Sequence, residues 1–256
     1  WTHAGAPPRA MAMTDRANPG NSHVFLRGNP GNQGPEAPRQ FLEALSPAPI
    51  ALTNGSGRLD LAHAIANPTN PLTARVFVNR VWLHHFGVGL VSTPGDFGVR
   101  TEAPVQRELL DYLAATFVEN GWSIKKLHRL ILLSATYQQS SDASSATLKA
   151  DPENRYLSRF NRQRLDFEAM RDTMLAVAGM LDLSVGGLPV DIIGEPFAKR
   201  RAVYGLIERQ NLPGLFRTFD FANPDVSNQA RFTTTVPQQA LFMMNSPFVI
   251  EQAKAL

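Results

Sequence analysis

The sequence predicts a mainly α fold: an irregular multi-helix bundle around one central buried helix at about residues 71–86, with long loops and one short two-stranded β ribbon. Three observations lead to it. The stretch 70–86, NPLTARVFVNRVWLHHF, places Leu72, Val76, Phe77, Val81, Trp82, Leu83 and Phe86 around nearly its whole circumference, whereas a surface helix carries a single apolar stripe. Several other segments repeat apolar residues at three-and-four spacing, the signature of helices packed on one face. Strand-like patterning is confined to 23–27 and 202–208, which leaves only these two segments to pair as a ribbon.

In chain order, residues 1–57 read as an extended arm and loop. Pro, Gly, Ala and Asn dominate 1–22, and Gly28-Asn29-Pro30-Gly31 stops the strand at 23–27. Residues 58–256 read as a single helical domain. The chain starts at Trp1 without methionine and stops inside a helix, so it reads as truncated at both ends relative to a parent protein. A first helix covers 58–66. Asn70 as N-cap and Pro71 at the first helical position open the central helix. A glycine-punctuated loop, 87–100, is too apolar to stand in water and is expected to fold back over it. The helix at 104–119 turns Val105, Leu109, Tyr112, Leu113 and Phe117 inward and ends at Asn120-Gly121. Ser123 caps the next helix, which faces Leu127, Leu130 and Ile131 inward. Residues 138–150 read as a polar, serine-rich surface loop. A long helix at 164–181 has its seam at Phe167, Met170, Met174, Val177 and Leu181. Thr235 and Gln238 form a capping box around Pro237, and Ser246-Pro247 opens the last helix.

Composition removes several chemistries. There is no cysteine, hence no disulfide framework, thiolate zinc site, cysteine nucleophile or covalent c-type haem in this chain. The 25 basic and 22 acidic side chains are dispersed along the chain, which argues against a nucleic-acid partner, and no apolar run reaches membrane-spanning length. His84 and His85 are neighbours and project about 100° apart on a helix, so no metal site is expected from them. His3, His23, His63 and His128 fall at no ligand spacing either. Asp96-Phe97-Gly98 spells the kinase magnesium triplet without its partner motifs. The run Asp220, Asn223, Asp225, Ser227 has the wrong spacing for an EF-hand.

Three groups remain as site candidates. The polar residues of the buried helix, Arg75, Asn79, Arg80 and His84, need partners from distant loops, Asp96 foremost, and are expected to form one buried network. The carboxylates available for acid–base work are Asp96, Glu168, Asp172 and Asp220. Arg164, Glu168, Arg171 and Asp172 lie together on the long helix, with Arg164–Glu168 and Glu168–Asp172 as i, i+4 pairs, and read either as a salt-bridged network gripping another helix or as a carboxylate pair. Arg231, Thr233, Thr234 and Thr235, just ahead of a helix start, have the donors an anion would need.

Six stretches resemble a known family: PRQFLEAL, NPLTARVFVNRVWLHHFGVGLVSTPGDFG, ELLDYLAATFVENGWSIKKLHRLILLSATYQQSS, DPENRYL, RDTMLAVAG and TTTVPQQALFMMNSPFV, in order from about residue 22 to 249. They are similar to the planctomycete-specific C-terminal domain (PSD-type), a domain of unknown function in large proteins that also carry a planctomycete cytochrome-c-like domain. The resemblance implies export to the periplasm or cell surface and a haem confined to an upstream domain, with other domains of the same polypeptide as partners. It brings no assigned catalytic residue. Gln163 and Asp166 depart from a family pattern that favours Arg and Glu there. Two roles follow: a non-catalytic helical interaction or scaffold module, or a hydrolase-like enzyme acting on extracellular polysaccharide.

Overall fold

The computed structural model describes residues 12–46 and 48–256, which form two compact units, one ending at Gln138 and the other spanning Gln139–Leu256. The chain is mainly helical with a small antiparallel sheet. Of the expected N-terminal arm, residues 1–11 lie outside the described residues.

In the first unit, β1 (Ser22–Phe25) pairs with β2 (Gln33–Ala37) as a hairpin, Ser22 opposite Ala37 and His23 opposite Glu36. The ribbon thus forms, but between neighbours. Residues 202–204 make one 3-10 turn instead, and Gly205 contributes a lone parallel bridge to Val190. Gly28, at φ 74°, turns the chain locally, and a short loop costs far less entropy to close than one reaching residue 202. After α1 (Arg58–Ile65) comes α2 (Thr73–Phe86). Its first turn starts later than expected, yet Asn70 still caps it: the side-chain oxygen accepts from the amides of Leu72 at 2.9 Å and Thr73 at 3.3 Å.

Val78, Trp82 and Phe86 of α2 are buried, while Arg80 and His84 share an exposed stripe. α2 packs on α3 (Arg107–Glu119), where Phe77 stacks on Phe117 at 5.0 Å between ring centroids. The buried stripe of α3 is Leu110, Leu113, Ala114 and Phe117, rotated by about one position from the expected face, so Val105 and Tyr112 point to water. Gly121, at φ 68°, ends α3, and the Ser123 hydroxyl accepts from Lys126 N–H to cap α4 (Ile124–Leu132). α4 buries Leu127 and Ile131 and leaves Leu130 at the surface, and the short α5 (Ala135–Gln138) closes the unit.

The second unit opens with α6 (Ser145–Ala150), a turn and a half of helix inside the serine-rich segment expected to be loop. Ser144 explains it by accepting from Thr147 N–H at 3.1 Å, which satisfies an end amide of the helix. α7 (Phe167–Val177) is shorter than expected, and its buried stripe is Phe167, Arg171 and Leu175; Val177 is exposed. α8 (Gly214–Thr218), α9 (Pro237–Asn245) and α10 (Pro247–Ala255) complete the unit. The cap of α9 is Val236, which makes no side-chain bond, so the expected Thr235/Gln238 box does not carry the start of this helix; Pro237 at N1 has no amide to satisfy. The core of the unit gathers Phe167, Ile192, Leu212, Phe216 and Phe219, with the Phe167 and Phe219 rings 5.3 Å apart.

Candidate functional site

The three groups of sequence candidates meet different fates. The expected network on α2 does not converge. Arg75 turns to Asp111 on α3 at 2.7 Å and to its own Pro71 carbonyl, while Arg80 and His84 stay in water. Asp96 accepts from Gly98 N–H within its own turn. Only Asn79 is a fully buried polar residue of the set. Its amide nitrogen donates to Val91 O at 3.0 Å and its oxygen accepts from Val91 N–H at 2.8 Å. The partner demanded by burial is therefore backbone rather than a charge, because an amide matches a peptide group donor for acceptor and no ion has to be desolvated.

Apart from Asp96, the second and third groups come together in the second unit. Glu168 and Asp172, one turn apart on α7, line one wall of a cleft of about 430 Å³; Arg201, Ile207, Phe221 and Arg231 line the rest. Arg231 holds Glu168 with two parallel bonds, 2.9 and 2.7 Å, lies 3.7 Å from Asp166, and sits over the Phe221 ring at 4.7 Å. Burial of Glu168 works to raise its pKa, but the hydrogen bonds and charge of Arg231 outweigh it and hold the carboxyl below its ordinary value. Asp220 accepts from Thr234 N–H at 2.8 Å and Thr234 Oγ1 at 2.7 Å, and from Arg164 at 2.8 Å. Asp172 accepts from Ala202 N–H at 2.8 Å, with Arg171 at 3.4 Å and Arg201 at 4.0 Å.

The expected anion site is thus filled from within. The carboxylates of Glu168 and Asp220 occupy the donors of Arg231 and Thr234, while Thr233 and Thr235 remain exposed. The cleft opposes two carboxylates to two guanidinium groups beside an aromatic wall. The two charges of each sign balance, with Glu168 paired to Arg231 and Asp172 accepting from the Ala202 amide.

The sequence placed Arg171 in a charged group on the long helix but did not show that it serves backbone carbonyls. Arg171 is 1% exposed and donates to the carbonyls of Ile192 at 3.0 Å, Arg200 at 2.9 Å and Ala198. It fixes the 192–202 segment, from which Arg201 reaches the cleft. Its position midway between Phe167 and Leu175, four residues from each, was the available signal. His85 and His128 form a second unanticipated pair, with ring nitrogens 2.7 Å apart. Among the described residues no group of three or more His, Cys, Asp or Glu could hold a metal ion, and no helix is long and apolar enough to cross a membrane.

A family model described as PSD1, protein of unknown function (DUF1553), matches residues 57–256. No curated protein and no solved structure matches the chain.

Proposed function

The chain belongs to the PSD1 family of proteins of unknown function, and we propose that it is a non-catalytic helical interaction module of an exported, multidomain bacterial protein. The observation that carries this reading is that both carboxylates of the cleft are engaged by the fold, Glu168 through both oxygens by Arg231 and Asp172 through one by the Ala202 amide, while Asp220, outside the cleft, is held by Thr234 and Arg164. A salt-bridged carboxylate with a depressed pKa is a poor proton donor near neutral pH. The resemblance of the sequence supports placing the module in the periplasm or at the cell surface, with any haem in an upstream domain and other domains of the polypeptide as partners. The absence of cysteine in this chain supports keeping covalent haem outside it.

A hydrolase acting on extracellular polysaccharide is the alternative. It is favoured by Glu168 and Asp172 lining one cleft beside Arg201. Incubation with a panel of soluble bacterial and algal polysaccharides, read as new reducing ends, separates the two. The module reading expects no release above buffer for the chain or for D172N. Release by the chain that D172N abolishes would replace it with the enzyme.

A further inference from the structure

The α3–α4 hairpin of the first unit carries a groove of about 490 Å³ that no part of the fold described above uses. Phe117 and Leu127 form its buried floor, and Leu130 and Leu133 stand at its lip, Leu133 63% exposed. Along α4 the groove-side residues are Lys126, Arg129, Leu130 and Leu133, at i, i+3, i+4 and i+7. These spacings place two cations and two leucines on one stripe, beside the stripe of Leu127 and Ile131 that packs inward. α4 adds Lys125 and contains no acidic residue.

From this juxtaposition we propose that the groove is a docking site for an acidic amphipathic protein segment, which inserts apolar side chains between Phe117 and Leu133 and sets its carboxylates against Lys126 and Arg129. The proposal rests on the interaction-module reading and gives it a partner of defined chemistry. Volume supports a side-chain anchor, since the groove falls within the roughly 300–1,000 Å³ of sites that enclose a ligand. Charge supports an acidic partner, because a neutral one would desolvate the cations edging the apolar floor with no opposite charge to answer them, Lys126 keeping only its bond to Asn120 Oδ1 at 3.1 Å. Concavity separates it from a lipid surface, which meets a convex apolar helix face. The mode of recognition is a helix laid in a groove, read through anchors one turn apart.

The test is selection of a random peptide library displayed on phage against the whole chain, followed by anisotropy titration of the enriched peptides. Lys126 and Arg129 are exposed, so K126E/R129E keeps the fold, which circular dichroism checks. Enriched peptides should pair Asp or Glu with Leu, Ile or Phe one turn apart. They should bind the double variant about tenfold more weakly and lose affinity as salt rises. L130A/L133A should weaken them as well, with the charges intact. Peptides without acidic bias, or bound equally by the charge-reversed chain, overturn the groove while leaving an interaction module elsewhere on the surface. An unenriched library, or tighter binding to phosphatidylserine vesicles than to any peptide, also overturns it. Polysaccharide hydrolysis would instead overturn the module reading itself, whatever the peptides do.

Discussion

Arg171→Met should destabilise the second unit by about 3–5 kcal/mol, read as a lowered urea midpoint in far-UV circular dichroism and as faster amide exchange across residues 190–202. The substitution keeps the length and apolar stem of the side chain, so packing against Phe248, whose ring lies 5.4 Å from the guanidinium, is largely retained. What is lost is a fork that serves the carbonyls of Ile192, Ala198 and Arg200 at once. Each stranded buried acceptor costs on the order of 1–3 kcal/mol, and Asp172 loses the cation beside it. Burial lowers the pKa of this guanidinium and Asp172 works against that shift, so the side chain stays charged and its removal leaves a real electrostatic gap. Arg171→Lys should fall between wild type and Met, because one ammonium on a flexible stem cannot span three carbonyls. A loss below about 1 kcal/mol for the Met variant would mean that the 192–202 segment is held by its apolar contacts alone.

Asn79→Ala should cost the first unit about 2–4 kcal/mol, seen as an earlier transition in the emission of Trp82, which is buried one turn along α2. Both peptide groups of Val91 lose their partner in a place water does not reach, and a cavity replaces the amide. Gly89 lies directly against this amide: a Cβ there would stand 2.8 and 2.9 Å from the Asn79 side-chain nitrogen and oxygen, so the loop approaches the clamp as closely as it does because residue 89 is glycine. Asn79→Asp should do no better than Ala, since it keeps the acceptor but loses the donor and buries a charge.

These two clamps also mark where the sequence stops being legible. Three caps were readable because they are local: Asn70, Ser123 and Gly121 each act within a few residues of where they stand, whereas the Thr235/Gln238 box was not realised. The burial of Val81, Trp82 and Phe86 was readable because apolar residues recur around α2, whereas Val78, also buried, was not part of that reading. Rotation of a helix about its axis was not. Leu109 and Leu110 are adjacent in α3, and two apolar stripes one position apart satisfy the same periodicity. In α7 the stripe through Met170, Met174 and Val177 is the more apolar, yet Phe167, Arg171 and Leu175 are the residues that the core encloses. A charged residue won a core position because three loop carbonyls needed donors, and local patterning carries no record of a loop's needs. The site pairs were hidden for the same reason: Glu168 and Arg231 are 63 residues apart, Arg164 and Asp220 are 56. Charge and spacing singled out Glu168, Asp172, Asp220, Arg231 and Thr234 one by one, but which carboxylate answers which arginine is settled only by tertiary packing.

The most direct test of whether the α7 carboxylates are structural or catalytic is the titration of Glu168, followed by its side-chain carboxyl carbon in a selectively labelled sample. With a folded-state pKa below the unfolded value, the pair with Arg231 stabilises the protein above the unfolded pKa, and that contribution is lost as pH falls through the folded one. The expected result is a midpoint below that of an ordinary glutamate, moving upward in R231Q. A midpoint well above it, with Glu168 still protonated near neutral pH, would contradict the structural assignment and mark Glu168 as a general acid.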